Sequence, residues 1–413
     1  IELIKNDINI KENNNINFTK SSQPIQALNI VYPHDKSKYL IGKKGFLYTM
    51  KKTQRKKIQY EYDNNEDMFS YSEIGKYSIK IKNIINSIIN SEGIILVYSN
   101  YKTSGVIPLA IALEEIGFDR YGGAKNNLLK KEITKKINIH NLKGNVNTDK
   151  FTQGYYSIIS GDNMYSPHNS EEIEALTKDN LNGERVKVVL ITESGTEGLD
   201  LNNIRQVHIM DPWWNMNRIE QIIGRARRNC SHKFLSEEKR NVQVFLHSII
   251  QSSGIEALDM YYYRNAEKKA IEIGKITRIM KEMSIDCLLN NIETKKKQNS
   301  IKIKLSSGVI LNDFNINDKS YSSLCDYSEN CKYKCVNSIN YKDLGSDNTT
   351  YKYIQAHNDY IIHDLKKLLS EKHVYRIPEI IERRYKNKNI KTTEIDYAID
   401  YLLREKIVDK YGN

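Results

Sequence analysis

The chain has 413 residues, a length that suits two to three domains at roughly 150 residues each. Its 20 Gly, 6 Pro and 5 Cys exclude collagen-like and disulfide-dense classes, and no apolar run approaches the ~18 residues of a membrane-spanning helix, so no membrane partner is expected. Lys plus Arg number 63 against 51 Asp plus Glu, a net charge of +12 that points to a polyanionic partner such as nucleic acid.

The charge carries only part of that argument. Asn, Ile, Lys and Tyr dominate, with 28 Tyr against 8 Phe. All four have AT-rich codons, so an AT-rich genome would raise Lys without any functional cause. The chain opens on Ile1 without a charged and then apolar leader, which reads as a fragment or a processed chain with no signal peptide. An odd number of cysteines fits a reducing, intracellular compartment.

Residues 1 to about 75 read as largely irregular. KENNN (11–15) and KKTQRKKIQYEYDNNED (51–67) have the composition of loops, and QALNIVYP (26–33) suits a short strand. From residue 80 the pattern changes. Ile81, Ile84, Ile85, Ile88 and Ile89 recur at helical spacing, and GIILVYS (93–99) is a buried strand. A helix over 104–116 follows, then a Lys- and Asn-rich insertion over 120–153. Next come a strand at 155–160, a helix at 170–182, strands at 186–192 and 204–210, a helix at 217–228 and a last strand at 241–249. Strands alternating with helices predict an α/β domain with a parallel sheet over 80–250. Residues 251–300 read as a helical extension and 301–356 as a linker with cysteines. Residues 357–413 read as three short helices, and IVDKYGN (407–413) suits the start of a wing.

Chemistry concentrates in ITESGTEGLDLNNIRQVHIMDPWWNMNRIEQIIGRARRNCSH (191–232). Gly195 and Gly198 allow a sharp turn and close backbone approach to a ligand, and Asp200 follows a strand's carboxyl end, where open α/β sheets bind ligands. On the helix that follows, at about 100° per residue from Gln221, Arg225 falls at about 40° and Arg228 at about 340°. Ile222, Ala226, Ile219 and Ile223 occupy the opposite face, and Arg227 lies off the polar one at about 240°. Gln221, Arg225 and Arg228 therefore share a face. Two guanidiniums one turn apart supply the permanent charge that a transferring phosphoryl group requires. A merely solvated basic face is the plainer alternative for such a helix alone. The glycine-rich segment one strand upstream, in that order, weighs against it.

GLDL followed by QxxGRxxR resembles motifs V and VI of superfamily 2 helicases, and GIILVYSNYKTSGVIPLAIALEEIGF (93–118) resembles motif IV, which opens the second RecA-like lobe. DPWWNMNRIEQIIGRARR is most similar to Swi/Snf-type ATPases and helicases of large DNA viruses. NCSHKFLSEEKRNVQVFLH (229–247), KEMSIDCLLN (281–290) and CDYSENCKYKC (325–335) resemble the viral group that includes the poxvirus-type early transcription factor small subunit and nucleoside triphosphatase. The resemblance implies a RecA-like lobe over 80–250, preceded by an inter-lobe connector over 1–79 and followed by a winged-helix-like domain over 357–413. It further implies arginine fingers at Arg225 and Arg228, with Gln221 beside the same phosphate. Gly195, Gly198 and Asp200 would lie at the nucleotide, and Ser99, Thr192 and Ser194 at the nucleic-acid backbone. ATP and Mg²⁺ are the implied cofactors. The implied partners are nucleic acid (DNA ahead of RNA), a first helicase lobe in cis or in trans, and viral transcription machinery. The implied location is intracellular, in a virion or a cytoplasmic viral factory.

A complete motor also needs a P-loop and an Mg²⁺-binding acidic strand end. Gly-Lys occurs at 42–43, 75–76 and 274–275, never followed by Ser or Thr, and Asp-Glu does not occur. The chain alone is thus expected to be inactive in ATP hydrolysis, and Mg²⁺ is expected to be held mainly by the first lobe. Two other readings stand beside the motor lobe: a non-catalytic nucleic-acid or protein binding module derived from it, and a split motor.

Remaining candidates are weaker. Cys325, Cys331 and Cys335 are spaced C-x5-C-x3-C, unlike the usual zinc spacing, and a fourth ligand would have to come from Cys287 or a His. Reduced cysteines in a small core are the plainer reading, and the metal stays unknown. The nine His residues form no close pair in sequence. Trp213 and Trp214 either clamp the loop leading to motif VI or, more plainly, pack in the core. Tyr98 is either an aromatic at the site or a core residue. The predicted third helix of 357–413 carries Glu394, Asp396, Asp400 and Glu405, which phosphates would repel, so protein contact is as good a reading as DNA recognition.

Overall fold

The computed structural model of the chain describes residues 18–36, 38–53, 58–64, 67–142, 151–193, 201–250, 256–288, 300–336, 351–372, 374–386, 390 and 392–404. The amino-terminal segment departs from the irregular structure expected of it. Its first described element is a helix, α1 (Phe18–Asn29), so the strand read at 26–33 is helix as far as Asn29. An antiparallel pair follows, β1 (Tyr32–His34) with β2 (Lys38–Leu40). Then come α2 (Gly42–Thr49) and a second antiparallel pair, β3 (Met50–Lys52) with β4 (Tyr60–Tyr62). Tertiary burial overrides the polar local composition here. Ile30, Tyr32, Phe46, Met50, Ile58 and Tyr60 join one core with the following helices and strands. Phe46 meets Tyr32 and Tyr60 edge-on, with ring centroids 6.2 and 5.0 Å away.

After α3 (Ile74–Tyr77) comes α4 (Ile79–Ile89), whose N-cap Ser78 accepts a hydrogen bond from the Ile81 amide at 3.0 Å. The strand β5 (Ile94–Tyr98) leads through a single π turn at Lys102–Val106 into α5 (Ile107–Glu115). The elements that follow are β6 (Asp119–Arg120), β7 (Tyr155–Ile159), α6 (Asn169–Thr177), β8 (Val188–Ile191), β9 (Ile204–Ile209), α7 (Met216–Ala226) and β10 (Gln243–Leu246). The six strands β5–β10 form one parallel sheet in the order β10-β9-β5-β8-β7-β6.

Every residue of β5, β8 and β9 is buried, as expected of parallel strands covered by helices on both faces. Alternation sorts their side chains. Ile95, Val97, Ile158, Val188 and Leu190 pack with α4 and α5, while Ile94, Leu96, Ile159, Val189 and Val207 pack with α6 and α7. The architecture is the α/β sheet with flanking helices that the alternation predicts. Having placed β6, β7 and β8 on one side of β5, the chain crosses to the other side for β9 and β10. That crossing opens a crevice at the carboxyl ends of β8, β5 and β9, where such sheets bind ligands.

The long helix α8 (Leu258–Met283) and a hairpin, β11 (Ile301–Lys304) with β12 (Ile310–Phe314), complete this unit. The hairpin docks at the amino end of the sheet. Lys304 pairs with Glu92 at 2.6 Å, and Arg205 Nη2 donates to the Lys304 carbonyl at 2.6 Å. The cysteines differ from the reduced set expected: Cys287 is bonded to Cys335 and Cys325 to Cys331, leaving Cys230 free and exposed. Among the described residues no three His, Cys, Asp or Glu gather as a metal site, so zinc finds no ligand set there. The cysteine segment packs on α8 at Gly274, where a Cβ would lie 1.9 Å from the Asp326 carbonyl oxygen. Arg278 and Lys281 hold the Asp326 carboxylate at 2.8 and 2.5 Å.

A second compact unit spans Asn337–Asn413. Its described part contains α9 (Tyr351–Glu371), a short α10 (Ile377–Ile380) running into a π turn that ends at Tyr385, and α11 (Thr392–Arg404). Ile361, Leu365, Ile380, Tyr385, Ile395 and Leu402 form its core. On α11, Glu394 is buried, and Asp400 is paired with Arg404 at 2.6 Å. Glu405 and the wing read at 407–413 lie outside the described residues. No described helix is long and apolar enough to cross a membrane.

Candidate functional site

Three strand ends meet at the crevice, and a buried polar network braces two of them, those of β5 and β9. Asp211, which follows β9, is 2% exposed. Its carboxylate accepts from the Ser99 hydroxyl, from the Asn100 amide at 2.9 Å and from Asn29 Nδ2 at 3.0 Å. Burial pushes the Asp211 carboxyl above its ordinary value, opposed by those hydrogen bonds and by nearby Lys80. Lys80, on α4, spends its three donors on Asn29 Oδ1 at 3.1 Å, the Met210 carbonyl at 3.1 Å and Asp259 at 2.8 Å. Asp259 in turn accepts from the Ile249 and Met260 amides. One network thus ties α1, α4, the ends of β5 and β9, and the start of α8. Satisfied buried networks of this kind rigidify a fold.

This network takes in Ser99. The resemblance puts it at the nucleic-acid backbone; in the structure the residue is 1% exposed and its hydroxyl donates to Asp211. Gly105 makes the arrangement possible, since a Cβ there would lie 2.0 Å from Ser99 Oγ. Thr192, at the end of β8, is also buried, and its amide donates to the Ile159 carbonyl at 3.3 Å. Ser194, Gly195, Gly198 and Asp200 lie outside the described residues. Tyr98 is buried in the core beneath α7.

Helix α7 follows the predicted wheel over most of its length. Ile219, Ile222 and Ala226 are buried against the sheet, whereas Gln221 is exposed and Arg225 half-buried. The helix ends at Ala226, two residues short of the expected limit, because Arg227 leaves helical geometry at φ −122°, ψ 58°. Arg228 is therefore placed by the turn after the helix and not by the wheel. It is exposed at the edge of a cavity of about 490 Å³. Helix periodicity carries Gln221 and Arg225 to one face, and the following turn alone decides where Arg228 goes.

Sequence reasoning missed Arg218. It stacks on the Trp213 ring, 3.8 Å from guanidinium carbon to centroid, and pairs with Glu193 at the end of β8. The signal was available: three residues before Gln221, Arg218 falls at about 60° on the same wheel. Core packing of the tryptophans is corrected too. Trp213 is half-buried beneath Arg218, and Trp214 is 45% exposed, with Lys269 of α8 5.3 Å from its ring centroid. The sheet also creates a histidine pair that sequence spacing does not reveal. His208 Nδ1 and His247 Nε2 lie 2.9 Å apart across neighbouring strand ends, with Gln206 Oε1 3.0 Å from His208 Nε2. Burial lowers His208 to about 3 and His247 to about 4, so both are neutral near pH 7.

Comparison with known proteins agrees with this geometry. Residues 79–230 match the helicase conserved C-terminal domain. A protein of Acanthamoeba polyphaga mimivirus named as an ATP-dependent RNA helicase is 30% identical over 282 residues, covering 68% of this chain and 41% of the relative. A helicase of Invertebrate iridescent virus 3 is 27% identical over 296 residues, covering 69% and 26%. The termination factor NPH-I homolog of African swine fever virus is 25% identical over 236 residues, covering 52% and 33%. The chain thus spans less than half the length of each of these relatives. Residues 79–230 thus carry a helicase conserved C-terminal domain, and over half or more of its length the chain is similar to helicases and an NPH-I homolog of large DNA viruses.

Proposed function

We propose that this chain is the second motor lobe of an ATP-dependent nucleic-acid translocase or helicase, and that Arg225 and Arg228 act as its arginine fingers with Gln221 beside them. The observation that carries this reading is the polarity of α7. Its apolar side is buried in the sheet, its Gln221–Arg225 side is turned outward, and Arg228 follows at the rim of a cavity. A guanidinium so placed can stabilise charge developing on a phosphoryl group in flight, an effect of about 10³–10⁵ in rate where arginine fingers are known.

Gly195, Gly198 and Asp200 are assigned to the nucleotide, and Ser194 to the nucleic-acid backbone. Thr192 is kept with Ser194 on the sequence order of the motif. Ser99 is reassigned to bracing the crevice through Asp211. Mg²⁺ is assigned mainly to the first lobe, as the motif order implies. In this reading the chain alone does not turn over ATP. The name of the African swine fever virus relative, a termination factor, supports a role in viral transcription and an intracellular site of action. The three helices of 351–404 are assigned to a winged-helix-like domain that contacts protein or DNA.

The test is ATP turnover by this chain mixed with the polypeptide encoded immediately upstream of it, with duplex DNA, with RNA and without either. Nucleic-acid-stimulated turnover that falls at least a thousandfold in Arg228→Ala is the expected result. Nucleic-acid binding by this chain without turnover, the upstream polypeptide being folded, would replace the motor lobe by a non-catalytic binding module.

A further inference from the structure

The cavity past the end of α7 has a chemistry that its motif does not account for. It is built by Asn202, just before β9, and by the turns over 228–234. Its charged lining is Arg228 and Lys233, and no Asp or Glu lines it among the described residues. Its wall includes Phe234, which is 72% exposed, with the Lys233 ammonium 4.9 Å from the ring centroid. Asn202, Asn229, Cys230 and Ser231 form the rest of the wall. A second cavity, at the amino end of the sheet, contrasts with this one, because Glu92 and Glu184 share its wall with Lys187 and Lys239.

The pocket is held in shape from below. The Ser231 carbonyl accepts from the Asn203 amide at 3.0 Å. His232 Nε2 lies 2.7 Å from the Ile204 carbonyl and Nδ1 lies 2.8 Å from Ser231 Oγ. A carbonyl only accepts, so Nε2 carries the proton and Nδ1 accepts from the serine. Burial lowers the His232 pKa and favours this neutral form. Asn203 and Cys230 sit at φ 58° and 59°, the left-handed backbone that Asn tolerates and that other non-glycine residues adopt uncommonly.

We propose that this pocket seats a nucleoside phosphate, with Phe234 as the stacking platform for the base, Arg228 and Lys233 on the phosphates, and Asn202 and Asn229 at the base edge. The inference rests on the helicase-lobe reading and adds base recognition to it. A planar base can cover one face of the ring while Lys233 supports it electrostatically from nearby. The shared chemistry is that of a nucleotide, whether free as ATP or carried in a strand.

The experiment is calorimetric titration of the full chain with ATP, inorganic tripolyphosphate and an oligothymidylate, using wild type, Phe234→Ala, Phe234→Tyr and Lys233→Ala. Phe234 is so exposed that its truncation leaves the fold intact, which circular dichroism checks. Base stacking of this kind is worth about tenfold or more in affinity. Phe234→Ala should therefore bind ATP about tenfold more weakly, Phe234→Tyr should restore binding, and Lys233→Ala should weaken ATP and tripolyphosphate alike. A Phe234-dependent ATP signal displaced by the oligonucleotide marks a pocket open to strand-borne nucleotides, and one that is not displaced marks a pocket for the free nucleotide. Equal binding of ATP and tripolyphosphate, indifference to Phe234→Ala, or no saturable binding at millimolar nucleotide would each overturn the proposal. The two readings fail separately. Turnover lost in Arg228→Ala with nucleotide affinity unchanged in Phe234→Ala sinks only the pocket. Phe234-dependent binding without turnover in the mixed system sinks only the motor.

Discussion

Lys80 and Asp259 form an ion pair at 2.8 Å with both side chains essentially without solvent exposure. It joins α4 to the first turn of the long helix α8 that follows the sheet. Removing one member of a buried pair leaves an uncompensated charge, at a cost of about 3–5 kcal/mol. Lys80→Met should therefore lower unfolding stability by that order in urea titration. The double variant Lys80→Met/Asp259→Leu should lose less than Lys80→Met alone. A larger loss in the double variant would show that the pair itself, and not the orphaned charge, sets the cost.

Ser99 donates to Asp211 from the end of β5, and Gly105 leaves room for it. Ser99→Ala should cost about 1–3 kcal/mol by leaving a buried carboxylate short of a donor. Gly105→Ala should cost a similar amount by forcing the serine away. Nucleic-acid affinity, measured under conditions where each variant is folded, should change little in Ser99→Ala. A large affinity loss with unchanged stability would return Ser99 to the backbone-contact role.

Acid stability separates two buried sites by sign. His208 and His247 have folded pKa values near 3 and 4, below the ordinary 6.5. The stability they contribute is present above pH 6.5 and is lost as pH falls toward 4, because the unfolded chain takes up protons first. For buried His208 this is of the order of a few kcal/mol. Glu114 acts oppositely. Burial raises it to about 7, so its contribution is present below pH 4.5 and is lost as pH rises through 7. Between pH 4.5 and 6.5 the two trends oppose each other. Glu114→Gln should steepen the loss of stability on acidification in this window, and His208→Gln should flatten it, as read by urea midpoints across pH.

The cysteine segment makes a simple count. Denatured under non-reducing conditions with a thiol reagent, the chain should titrate one thiol, Cys230, and five after reduction. Cys287→Ser should lower stability by about 2–4 kcal/mol in the oxidised protein and by far less in the reduced one. Five reactive thiols before reduction would restore the reduced set that the composition suggests.

Much of the lobe was legible because its signals are local. The strands IILVY, VVLI and IRQVHI and the helix MNRIEQIIGRA declare themselves by runs and by period, since each must bury a whole strand or one helical stripe. The amino-terminal connector was illegible for the converse reason. Tyr32, Phe46 and Tyr60 are separated by polar residues and meet only through β1, α2 and β4. Arg218 was readable from the helix wheel and was overlooked. Arg228 was placed by a periodicity that stops two residues before it.

The sequence by itself determined the main alternation of strands and helices over 80–250, the buried and open sides of α7, and the motif order of the helicase resemblance, because each depends on neighbours a few residues away. Only the tertiary structure decided that Ser99 serves Asp211, that Lys80 meets Asp259, that His208 meets His247, and that Arg228 shares a pocket with Phe234. The first three of those pairs are brought together by strand order in a parallel sheet and by the return of α8, which no local periodicity encodes. The fourth depends on turns pinned to the start of β9, so its geometry exists only once the sheet has formed.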